Sequence, residues 1–142
     1  MTEALPLLLR IAGAGLILLA LLHVPMGRKL QWREEAARMS DTNATIFHVH
    51  TFFICVVLAM MGLPSLLDPA VWMERSRAAA WASWSACGFW LLRLYCQWFV
   101  YGSNLWRGKR LETFMHFGFT VVWIFLVVVF GACGARQAGW LL

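Results

Sequence analysis

Charge is what this chain has least of. Asp, Glu, Lys and Arg make up 13% of its 142 residues, about half the share in a soluble globular domain. With 61% of residues hydrophobic, the composition is that of an integral membrane protein. Carboxylates are scarce in the apolar stretches, which argues against a carboxylate-bridged di-iron site built from inward glutamates. The four cysteines, Cys55, Cys87, Cys96 and Cys133, form neither a Cys-x-x-Cys pair nor a secreted disulfide framework. They read as small buried hydrophobes. No apolar stretch is broken at its middle by Gly or Pro, and no inverted halves are visible, so a transporter or channel is disfavoured. The net charge of +5 sits mainly in the connectors. Insertion topology demands basic residues there, so no nucleic-acid partner is implied.

Four apolar stretches are each long enough to cross a hydrocarbon core of roughly 30 Å as helices: Leu5–Pro25, Thr45–Leu66, Ala78–Tyr101 and Thr113–Cys133. The expected fold is all-α, an integral membrane four-helix up-down bundle filling residues 1–142 as one domain. The first stretch lacks the positive flank of a cleaved signal and is expected to remain as a span. Its Ala12–Gly15 patch suits close helix approach, and Arg10 is expected to snorkel to the nearer interface. Pro25 and Gly27 predict its end. Between spans one and two, Arg28–Met39 predicts a short amphipathic interfacial helix anchored by Trp32. Ser40-Asp41-Thr42-Asn43 offers N-caps for span two.

Basic residues set the orientation. Connectors one and three hold Arg28, Lys29, Arg33, Arg38, Arg107, Lys109 and Arg110, against Arg10, Arg75, Arg77 and Arg136 on the other face. That bias places those connectors in the cytoplasm and both termini on the non-cytoplasmic side of a cell (inner) membrane. Trp72, Trp81, Trp84 and Trp140, with Trp32, Trp98 and Trp106 at the opposite interface, read as anchors in the lipid bilayer.

Ionisable groups inside spans are costly and mark functional candidates. His23 closes span one, His48 and His50 open span two, Arg93 and Gln97 lie late in span three, and His116 opens span four. Up-down threading would gather these at one side of the membrane. His48 and His50, two residues apart, point about 200° from each other on a helix. Asn43, Phe47, His50 and Ile54 share a stripe, as do Arg93, Gln97 and Tyr101. His50 is therefore expected to face inward.

Three functional readings compete. His50 and His116, with His23 in reserve, could be axial ligands of a b-type haem, with Arg93 on a propionate. Alternatively, His23, His50 and His116 form a three-imidazole site for zinc, copper or iron, with Glu34, Glu35 or Glu112 in support. Either reading points to redox chemistry, electron transfer or an oxidoreductase. The third is a cofactor-free accessory subunit of a larger membrane complex or a homo-oligomer, its histidines satisfied by Gln97, Tyr101 and backbone carbonyls. Beside these stands a pocket for a quinone, lipid or anion, anchored by Arg93 with His50 or His116 as hydrogen-bond partner.

Overall fold

A computed structural model describes residues 4–140. All of its regular structure is helical: α1 (Leu5–Lys29), α2 (Trp32–Ala36), α3 (Asp41–Leu67), α4 (Ala70–Met73), α5 (Arg77–Tyr95) and α6 (Arg110–Gln137). Helix α5 runs on into a π-helical turn, Cys96–Val100, and a 3-10 turn follows at Ser103–Leu105. Helices α1, α3 and α6 are long and apolar enough to cross a membrane, which is compatible with a multi-pass membrane protein. The stretch expected as a fourth span is helical from Arg77 to Val100. Its Ala-, Ser- and Trp-rich composition and Arg93 leave it less apolar than the other three. A four-helix bundle is thus an expectation met only in its helical part.

The described chain forms two compact units, one of them Arg10–Asp68 and the other containing everything after it. In the first unit, α1 and α3 cross where side chains are smallest. A Cβ on Gly13 would stand 2.7 Å from the Gly62 carbonyl oxygen, and one on Gly62 would stand 3.0 Å from Ile17. Gly13 meets Leu66 while Ile17, four residues later, meets Gly62, so the pair runs antiparallel. The small-residue patch does what such patches do in membranes, where backbones approach closely to gain packing contacts.

Pro25, expected at a helix end, lies inside a helix instead, as does Pro64. Helix α1 continues past Pro25 to Lys29, and α3 continues past Pro64 to Leu67. Proline forfeits one N–H bond but does not forbid the following turns, and membrane helices tolerate it. The interfacial helix accordingly shrinks to the five residues of α2, entered through Gln31 at φ 52°, ψ 39°. Ser40 caps α3 as expected, its Oγ accepting from the Asn43 N–H at 3.4 Å.

In the second unit, α5 and α6 pack antiparallel along facing stripes. Ala79, Ser83, Ala86, Trp90 and Gln97 are buried on one helix, and Thr120, Trp123, Leu126, Phe130 and Cys133 on the other. Spacings of three and four residues keep each set on one helical face. Contacts step in opposite directions: Ser83 with Gln137, Cys87 with Val127, Trp90 with Trp123, Gln97 with His116. The Trp90 and Trp123 rings stack at 5.2 Å, 10° from parallel. At the far end, the Gln137 amide donates to the Trp72 carbonyl at 2.7 Å and ties α4 to α6.

Candidate functional site

The polar site lies where α5 widens into its π turn. Gln97 is 5% exposed, and its two amide atoms have different partners. The side-chain oxygen accepts from Arg93 Nη1 at 3.2 Å and from Trp123 Nε1 at 3.4 Å. Guanidinium and indole can only donate, so the atom facing them must be the oxygen. The amide nitrogen therefore faces His116 Nδ1, 3.0 Å away, and donates to it. With Nδ1 accepting, the ring proton of His116 sits on Nε2. A chain of donor identities, beginning at Arg93, thus fixes the tautomer of a histidine on another helix.

Aromatic rings hold this cluster in place. The Arg93 guanidinium carbon lies 4.9 Å from the Trp123 ring centre and 5.3 Å from that of Tyr101. Each contact adds about 0.5–2 kcal/mol depending on desolvation. Trp106 stacks flat on the His116 ring, with Phe117 at its edge. The Trp106 carbonyl is pinned by the Thr113 hydroxyl at 2.7 Å and the Lys109 N–H at 3.1 Å, which secures the loop on the first turn of α6. Thr120 donates to the His116 carbonyl at 2.9 Å and accepts from Trp98 Nε1 at 3.4 Å. Arg93 forms no ion pair among the described residues.

Of the residues singled out from sequence, Arg93, Gln97 and His116 are joined by direct hydrogen bonds, and Arg93 also meets Tyr101. His23 and His50 belong to the other unit. Each turns Nδ1 onto its own helix, His23 donating to the Leu19 carbonyl and His50 to that of Ile46, both at 2.8 Å. His23 edges against Trp32 at 6.2 Å, and Trp32 against Phe47 at 5.9 Å. The expectation of an inward His50 fails. The less exposed stripe of α3 runs Ala44, Phe47, Thr51, Cys55, Leu58, Gly62 and Ser65, while His50 and Ile54 are exposed. Among the described residues no group of three or more His, Cys, Asp or Glu side chains could hold a metal ion.

Neither Trp106 nor Trp123 reads as a site residue in the sequence. Trp106 reads as one more interface tryptophan, and Trp123 as one more apolar residue of a span. The spacing of Trp123 from His116, seven residues and so the same helical face, is the signal that was available. No protein-family model matches this chain, and no curated protein or solved structure shows detectable similarity to it.

Chemically, the cluster is rich in donors. Once Gln97 is accounted for, it presents the His116 Nε2–H and the remaining N–H groups of Arg93. Among the described residues no carboxylate pairs with the guanidinium.

Proposed function

We propose that this is a membrane-embedded binding protein whose α5–α6 site takes a hydrogen-bond-accepting small molecule, of the quinone, lipid or anion kind. Arg93 serves as the charge anchor and His116 as the directional donor. In this reading α5 with its π turn is the fourth span of an up-down bundle in the cell membrane. Connectors one and three are cytoplasmic and the site opens toward that face, since basic residues gather there. One observation carries the proposal: Gln97 is turned by Arg93 and Trp123 so that His116 presents a proton rather than a lone pair.

The test is native mass spectrometry of the detergent-purified protein with its retained small molecules. A bound species kept by wild type and Arg10→Leu but lost from Arg93→Leu and Gln97→Leu, all with cooperative unfolding, supports the proposal. Equal retention in all four proteins sinks it.

A second reading keeps the haem b or transition-metal chemistry. It is favoured by His23 and His50, whose Nδ1–H bonds to backbone carbonyls leave the Nε2 lone pairs that imidazole ligands use. An absorption spectrum decides: a Soret band that shifts on dithionite selects haem, and stoichiometric metal in a colourless sample selects a metal site.

A further inference from the structure

The ring stacked on His116 adds an N–H with nowhere to go. Trp106 Nε1 is buried and has no hydrogen-bond partner among the described residues. It lies in a ring whose centre is 4.4 Å from that of His116, and the two planes are 13° apart. The indole N–H and the imidazole Nε2–H are thus carried by two nearly parallel rings in contact. A buried donor left without an acceptor is destabilising and marks a place for one. This buried N–H, the His116 Nε2–H and the guanidinium on the same histidine's amide partner are a combination that water or a neutral carbonyl satisfies only in part.

The charge around the site decides what kind of acceptor fits. Trp106 is followed directly by Arg107, Lys109 and Arg110, all exposed and none in an ion pair among the described residues. The one acid nearby in sequence is Glu112, also exposed. A neutral quinone gains nothing from that excess of positive charge. An anion gains charge-assisted bonds from Arg93 and long-range attraction from the loop.

Building on the binding function proposed above, we infer that the site takes the phosphate of an anionic ligand. Arg93, His116 Nε2 and Trp106 Nε1 bond its oxygens, while the 107–110 loop draws it in. A phospholipid headgroup and a free phosphate offer this same group.

Native mass spectrometry of the full chain in detergent tests this with four probes: phosphatidylglycerol, phosphatidylcholine, inorganic phosphate and a short-chain ubiquinone. Trp106→Phe keeps a stacked ring while removing the N–H, so its unfolding temperature should stay near wild type. The expected result is preference for phosphatidylglycerol over phosphatidylcholine, weakened about tenfold or more by Arg93→Leu and measurably by Trp106→Phe. Displacement by inorganic phosphate would support a free phosphate source, and failure to displace would support the lipid. A preference untouched by both variants but abolished by neutralising Arg107, Lys109 and Arg110 would overturn the inference, because loop charge alone would then explain it. Arg93-dependent quinone binding with no preference between the two lipids would overturn it too, while sparing the broader binding function. If no probe responds to a folded Arg93→Leu, both are lost.

Discussion

Trp106 lies flat on His116, a loop residue covering a helix residue ten positions later. The stack itself contributes about 0.5–1.5 kcal/mol beyond the area it buries. Trp106→Ala is expected to lower stability by about 1–3 kcal/mol, less than the loss at a fully buried aromatic because Trp106 is only half-buried. Trp106→Phe should cost under about 1 kcal/mol, since a ring remains to stack. Thermal unfolding in detergent measures both, and equal losses would show that the indole N–H, not the ring, holds the loop.

The tautomer argument makes a sharper prediction. In the wild type, imidazole ¹⁵N chemical shifts should mark Nδ1 of His116 as the unprotonated nitrogen. Gln97→Glu replaces the donating amide nitrogen with a carboxylate oxygen, which can only accept. The proton should then move to Nδ1 and leave a lone pair on Nε2. Wild-type spectra with the proton already on Nδ1 would undo the assignment of Gln97.

Gln97→Leu removes the acceptor for Arg93 and Trp123 together with the donor to His116. Two buried donors lose their partner, at about 1–3 kcal/mol each. A loss of about 2–4 kcal/mol is expected, since Arg93 keeps its contacts with Tyr101 and Trp123. Chemical denaturation of the purified variant reads this directly; a change under about 1 kcal/mol would mean the amide is only a bystander.

At the α1–α3 crossing, two glycines two residues apart should behave oppositely. A Cβ on Gly13 would sit 2.5 Å from the Leu66 backbone nitrogen, so Gly13→Ala must push helices apart, at about 1–3 kcal/mol. Gly15 has nothing within 4 Å of its would-be Cβ, so Gly15→Ala should be neutral or stabilise by up to about 1 kcal/mol. Unfolding curves for the two variants that moved together would contradict the close approach.

Gln31 holds a left-handed backbone conformation at φ 52°, which costs a residue with a Cβ about 1–2 kcal/mol. Gln31→Gly should raise the unfolding temperature, whereas Gln31→Val should lower it.

How much of this could be read from residues alone follows from what periodicity measures. Long apolar runs located α1, α3 and α6 because few alternatives exist for such chains in a bilayer. The spacing of Arg93 and Gln97 located half the site, since residues four apart share a face. His50 was misplaced for the same reason that method works at all: one residue turns a helix by about 100°, so a stripe chosen through Phe47 and His50 and one through Phe47 and Thr51 look alike on paper. Packing against Gly13 fixes Gly62 and Leu66 inward, and the less exposed stripe of the same helix carries Thr51 and Cys55, not His50. Trp106 was invisible as a partner of His116 because its position depends on a loop fold that no period encodes. Pro25 misled because a proline forfeits one N–H bond without forbidding the turns that follow it.

The wide coil at Cys96–Val100 has a consequence for the guanidinium eight residues before Tyr101. Ordinary α winding would carry the phenol ring about 80° around the axis from Arg93. Closing backbone loops over five residues instead of four, as the Tyr101 N–H does onto the Cys96 carbonyl, slackens the winding and returns the ring toward the charge. Rewinding that coil as ordinary α-helix with no residue removed would swing Tyr101 away again and strip the cation of one of its two aromatic walls. The spare residue is thus a geometric shim, setting the aim of a side chain that lies outside it.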